Sequence, residues 1–168
     1  NLIALFTPRF NANPNDLDLV TNIAKMLNTA EGCTDNELYL NAVNTMYKLN
    51  PSGTAAYYLY RLYDARNNRE EATKYLEAAI ASDDTDPKNR AQYEYELAVL
   101  SVKAGNNAKA YASAQKALDM DSSLAGKCYM IMGNIWGSVV CGGNEIEKSV
   151  HCWVAVDYMQ KAKAADAS

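Results

Sequence analysis

Residues 91–122 read AQYEYELAVLSVKAGNNAKAYASAQKALDMDS, and this stretch decides the fold. Leu97, followed by the small Ala98, marks the buried face of one helix, and Gly105 makes a turn. Ala110, Ala114 and Ala117 then line a second helix, which Asp121 closes. Small residues at the crossing let two helix backbones approach closely, while large ones fill the gap between neighbouring pairs. The two-helix unit recurs upstream. From Gly53, the residues Leu59, Tyr60 and Tyr63 precede Ala72, Leu76 and Ala79 in the same order.

Working outward, helix starts are marked by capping boxes, in which a side-chain oxygen and a later Glu satisfy unpaired backbone donors reciprocally. Thr34 with Glu37, Asn68 with Glu71, and Asn144 with Glu147 fit that pattern. Asn13-Pro14 and Asp86-Pro87 add two starts with Pro at the first helical position, and Gly32 and Gly105 fall where helices stop. The pattern predicts helices near 15–29, 35–49, 53–66, 69–82, 87–104, 107–119, 123–139 and 145–165, after a partial helix near 2–11. No segment alternates as a half-buried strand does.

Composition sets the outer bounds. The 168 residues are 49% hydrophobic and 21% charged, which excludes a disordered chain. Up to Asp84 there are 7 basic and 11 acidic residues, and 9 of each follow, so no basic block offers a nucleic-acid surface. The most apolar stretch, Cys128 to Cys141, is too short to cross a bilayer, which takes about 20 residues. The chain opens with Asn1 and shows no signal-peptide pattern, so a fragment or processed form is expected. Cys33, Cys128, Cys141 and Cys152 are spaced by 95, 13 and 11 residues, without a CxxC. A two-disulfide framework is open on count, yet the apolar content is enough to fold without one.

The 91–122 unit resembles the tetratricopeptide repeat, a helix–turn–helix of 34 residues, through Leu97-Ala98, Gly105, Ala110, Ala117 and Asp121, with Ser122 where the family usually has Pro. Val20, Ile23, Ala24 and Leu27 are similar to the first-helix signature of an earlier copy, which ends on Leu49-Asn50-Pro51. A last copy holds Tyr129, Met132-Gly133 and Trp136, then Ala155, Met159, Ala162 and Asp166-Ala167. The small position of the second helix runs Tyr39, Ala72, Ala110, Ala155, at spacings of 33, 38 and 45. The longer spacings place about four extra residues at Asp83–Pro87 and about eleven between Trp136 and Ala155. The resemblance implies an all-α right-handed solenoid of about four antiparallel helix pairs with no β-sheet. It would be a single domain over 1–168 with units 15–51, 53–87, 88–122 and 123–168, and 1–14 would end a preceding partial unit. Gly32-Cys33-Thr34-Asp35 and Cys141-Gly142-Gly143-Asn144 also look like a subset of exported bacterial repeat proteins, which implies a periplasmic or outer-membrane-associated location.

In this family the first helices line a concave groove that holds a peptide or a segment of another protein. The groove positions match Tyr57, Arg61, Tyr95, Val99, Met130 and Asn134. Tyr and Arg are the residues most apt to anchor an interface. Against this stands simple packing of Tyr57 or Tyr95 between pairs, as is expected for Tyr60 and Tyr63. A subset of the family clamps chaperone C-terminal carboxylates with Lys and Asn, but only Arg61 here could hold a carboxylate strongly, which disfavours that partner.

The expected function is a non-catalytic interaction scaffold without cofactor or metal. The rival class is carbohydrate or other small-ligand binding in an exported bacterial system, for which a row of exposed coplanar rings would speak. Glu147 and His151 share a helix face, with Cys141 or Cys152 nearby in sequence, and an ordinary surface pair is the expected reading. The Asn144 cap holds Cys141 about two turns from His151, which argues against a Cys–His nucleophile and against a Cys141–Cys152 disulfide. Carboxylate pairs at Glu70-Glu71 and Asp83-Asp84 sit at helix edges, where solvated caps are usual. The last helix spreads Val150, Trp153, Val154 and Val156 over faces beyond the one its partner needs, so the end around Trp153 is expected to dock against the eleven-residue insertion, a second copy of the chain or a missing segment, with Val150 and Trp153 as the candidate oligomer surface of a homodimer.

Overall fold

The computed structural model describes residues 2–30, 34–138 and 144–166, the side chain of Lys148 excepted. Gly32, Cys33, Cys141, Gly142 and Gly143, singled out above, lie outside the described residues. The order is α1 (Leu2–Ala12), α2 (Leu17–Thr29), α3 (Glu37–Leu49), α4 (Gly53–Ala65), α5 (Arg69–Ala81), α6 (Pro87–Lys103), α7 (Asn107–Met120), α8 (Ala125–Ser138) and α9 (Glu145–Asp166). A 3-10 turn over Ser122–Leu124 leads into α8, and no strand occurs among the described residues. The most extensive helix contacts join α4 to α5, α6 to α7 and α8 to α9, with α2 against α3 next.

Most starts follow the side-chain chemistry read from the sequence. Asp86 accepts from the N–H groups of Lys88 and Asn89, both at 3.0 Å, with Pro87 opening α6. At α9 the box is reciprocal: Asn144 Oδ1 accepts from Ile146 and Glu147, and Glu147 Oε2 accepts from the Asn144 N–H at 2.9 Å. Asn68 caps α5 through the Glu71 N–H, but the Glu71 carboxylate turns to Lys74 Nζ at 3.0 Å. Two starts differ from expectation. Helix α2 begins at Leu17 because Asp16 caps it through the Leu19 N–H, leaving Pro14 in the preceding turn. Helix α3 is capped by Asn36, not Thr34: Asp35 is held by Arg66 Nε at 2.9 Å, and Asn36 Oδ1 then receives the Tyr39 N–H at 2.9 Å. The turns inside two pairs share one geometry, a left-handed residue followed by an Asn cap. Asn67 (φ 55°) precedes Asn68, and Gly105 (φ 76°) precedes Asn106.

The chain divides into two compact units, Asn1–Thr85 and Asp86–Ser168. The first is built on Val20, Ile23, Ala24, Leu27, Tyr39, Val43, Leu59 and Leu62, with Phe6 of α1 added to the edge. Tyr39 stands where the other copies carry Ala, and it is fully buried. Its hydroxyl donates to the Tyr58 carbonyl at 3.1 Å and lies 3.4 Å from Asn28 Oδ1, so the enclosed polar tip is satisfied. Burial, first of all, pushes this phenol far above its usual range. Beside this core, Tyr63 stacks on Tyr75 at 5.4 Å, and Tyr47 meets Tyr75 edge-on at 5.7 Å. Tyr60 is buried and Tyr63 half-buried, so both are packing residues.

The second unit is built on Ala91, Ala98, Ala110, Ala114, Ala117, Cys128, Ile131, Met132 and Ile135. Gly133 marks a close crossing: a Cβ there would stand 3.3 Å from the Ala155 carbonyl oxygen of α9. The Tyr111 and Tyr158 hydroxyls bond at 2.7 Å and tie α7 to α9, and Lys161 Nζ sits 5.1 Å from the Tyr158 ring centre. Glu94 is buried, with Oε1 3.6 Å from Lys116 Nζ and Oε2 without a hydrogen-bond partner.

Candidate functional site

The groove positions expected from the sequence fall on first helices in both units. In the first unit Tyr57 and Arg61 lie one turn apart on α4, so they share a face. Both are half-buried. The Tyr57 ring is 5.5 Å from Tyr60 and 6.4 Å from Tyr58, which fixes its orientation while leaving part of it open. Helix α2 touches α4 and brings Asn28 to the same neighbourhood through the Tyr39 hydroxyl. Burial raises the Tyr58 phenol above its ordinary value, so this tyrosine group stays neutral. The charge of Arg61 acts on Tyr39, against the dominant effect of burial.

In the second unit Tyr95 and Val99 share a face of α6, and Met130 and Asn134 share a face of α8. Helices α6 and α8 are in contact. Tyr95 and Val99 are half-buried against the core of this unit, whereas Met130 (44% exposed) and Asn134 stand open to water. The residue missed from the sequence is Lys127. It lies one turn before Met130, and its ammonium sits 5.7 Å from the centre of the Tyr95 ring. The offset of three from Met130 was a legible signal; the approach to Tyr95 needed the packing of α8 on α6. Burial raises the Tyr95 phenol as well. Each face thus combines a tyrosine ring with a cation, and the second adds an adaptable Met.

A cavity of about 250 Å³ in the second unit is lined by Asn107, Ala108, Tyr111, Ile135 and Trp136. Trp136 stacks on His151 at 5.4 Å, so this histidine packs on an indole. Among the described residues no group of three or more His, Cys, Asp or Glu could hold a metal ion. Cys128 is buried, and that burial pushes its thiol up to about 11; Cys152 is exposed. Trp153 is the only aromatic ring classed as exposed among the described residues, so no row of exposed coplanar rings supports the carbohydrate reading. No described helix is long and apolar enough to cross a membrane.

No protein-family model matches the sequence, and no curated protein matches it significantly. Solved structures do. Two crystal structures of MamA, a tetratricopeptide-repeat-like protein, each superpose with a TM-score of 0.76 at 19% identity. Both superpositions cover 98% of this chain, and 86% and 80% of the respective MamA chains. At that identity the likeness is one of architecture. The chain therefore has the all-α, tetratricopeptide-repeat-like fold, built from antiparallel helix pairs as MamA is.

Proposed function

We propose that the protein is a non-catalytic scaffold that binds segments of other proteins through the faces of its first helices. In the first unit Tyr57 and Arg61 are the anchors; in the second, Tyr95, Val99, Met130 and Asn134 serve with Lys127. The observation that carries this reading is the Tyr95–Lys127 pair beside an exposed Met130, a ring, a cation and a pliable apolar side chain on one accessible face. Each face carries a cation beside its tyrosine, Arg61 in the first unit and Lys127 in the second, so the partner segment proposed is apolar with interspersed carboxylates.

Panning a random peptide library on the wild-type protein tests this reading, with counter-selection on a variant carrying Arg61→Glu, Tyr95→Ala and Lys127→Glu. Selected peptides should be enriched in Asp or Glu next to Leu or Phe and should bind the variant at least tenfold more weakly, with its helicity unchanged. Peptides that bind both proteins alike, or no enrichment at all, would refute the assignment.

A further inference from the structure

The start of α7 and the C-terminal half of α8 bound the cavity of about 250 Å³ in the second unit. Its walls are the rings of Tyr111 and Trp136 with Ala108 and Ile135, and Asn107 is the polar residue among them. The Tyr111 hydroxyl is already bonded to that of Tyr158. Gly133 and Gly137 let α9 lie close along α8: a Cβ at Gly137 would stand 3.7 Å from Ala155 Cβ. That approach lays the His151 imidazole on the Trp136 indole, with centroids 5.4 Å and planes 17° apart, which holds the indole in place. The Trp136 Nε1–H is shut away from water and has no hydrogen-bond acceptor among the described residues. A buried donor in this state is rare and costly, and a ligand that supplies the acceptor gains a directional bond.

The lining selects the chemistry of the occupant. None of these five side chains is charged, so an ion would lose its hydration there without compensation. A sugar would leave most of its hydroxyls unpaired against such walls. An apolar cavity of about 150 Å³ takes one benzene ring, so this one admits two fused rings. An indole N–H only donates, and the ligand must therefore bring an acceptor. We propose that this cavity binds a neutral, two-ring apolar small molecule whose acceptor, a carbonyl oxygen or ring nitrogen, takes the Trp136 Nε1–H bond. The site shares no residue with the first-helix faces assigned to partner binding. A ligand of about ten heavy atoms binds such a site at roughly 0.1–1 mM.

Nitrogen-15 NMR of the indole N–H groups reads the result directly, because the chain has only two tryptophans. Trp153→Phe assigns the two signals, and Trp153, 61% exposed, serves as the internal reference. The probes are 1-indanone, two fused rings with one carbonyl, and indane, the same skeleton without it. Titration with 1-indanone to about 2 mM should move the Trp136 signal downfield and saturably, and leave that of Trp153 in place. Indane, followed by ligand-observed saturation transfer, should bind about fivefold more weakly or less tightly still. Ala108→Phe should weaken 1-indanone about tenfold or more with unchanged circular dichroism, since Ala108 lines the cavity and is exposed. A Trp136 signal that does not move, a shift that survives Ala108→Phe, or equal binding of indane and 1-indanone would overturn the proposal. Library-selected peptides that move the Trp136 signal and are displaced by 1-indanone would assign the cavity to a partner side chain and overturn it too. Peptide binding that persists while 1-indanone fails to bind would remove this site alone and leave the scaffold reading standing.

Discussion

Gly53 opens α4 at a point where the chain has no room for a side chain. A Cβ on Gly53 would lie 1.9 Å from Thr85 Oγ1, 3.1 Å from Asp84 Oδ1 and 3.2 Å from Ser82 Cβ. The first contact cannot be accommodated without moving the hydroxyl, and that hydroxyl is engaged. Thr85 is buried, and its Oγ1 donates to the Ala79 carbonyl at 2.7 Å. Gly53→Ala should gain at most about 1 kcal/mol from helix propensity, since its φ is not left-handed and Ala is allowed there. Against this stand an overpacking cost of roughly 1–3 kcal/mol and a strained or broken buried hydrogen bond worth about 1 kcal/mol. The net expectation is a loss of about 1–3 kcal/mol, read by urea unfolding followed by circular dichroism. The mechanism is isolated by a double-mutant cycle with Thr85→Ala, which removes the clashing oxygen. In that background Gly53→Ala should cost less than about half as much, with coupling above about 0.5 kcal/mol. Residual cost reflects the contacts to Ser82 and Asp84. A neutral or stabilising Gly53→Ala, or additive effects within about 0.3 kcal/mol, would refute the reasoning.

Two further outcomes follow from named polar groups. Asp84 Oδ1 accepts from the Gly53 N–H at 2.8 Å and from the Ser82 hydroxyl, and these bonds, Ser82 first, hold its carboxyl below the usual range. A carboxyl depressed in the folded state contributes stability above its unfolded value near pH 3.9, and that contribution is lost as pH falls through the folded value. Asp84→Asn should therefore flatten the dependence of Tm on pH below about pH 5 relative to wild type; unchanged acid sensitivity would count against it. Glu94, buried with one oxygen unpartnered and the other 3.6 Å from Lys116, is an ion pair whose desolvation is poorly offset. Glu94→Met should leave stability unchanged or raise it by about 1–2 kcal/mol in urea titrations, and a loss above about 1 kcal/mol would show that the carboxylate is needed.

The helix pairs were legible because their signals are local and redundant. Ala98, Ala110, Ala114 and Ala117 repeat at helical spacing, and Asp86-Pro87 and Asn144 with Glu147 place their helix starts within a residue. The misread starts have different causes. At α2 the cap is local: Asp16 accepts from the Leu19 N–H, a signal that stands in the sequence beside Pro14. At α3 Arg66, 31 residues away, holds the Asp35 carboxylate, and Asn36 caps the helix. Within the candidate faces, the Tyr57–Arg61 and Tyr95–Val99 pairings were legible as one-turn offsets on a helix. The approach of Lys127 to Tyr95 and the bond between Tyr111 and Tyr158 were not, since each joins residues on separate helices whose register is set by core packing. Gly53 gave no warning either: its neighbours Ser82, Asp84 and Thr85 arrive from the far end of α5.

The turns at Asn67-Asn68 and Gly105-Asn106 depend on two residues each, one bearing the positive φ and one supplying the cap oxygen. At Gly105 nothing lies within 4 Å of where a Cβ would be, so that corner leans on no neighbour. A corner closed by its own two residues can be exchanged for another dipeptide of the same geometry while the two helices it joins keep their packing.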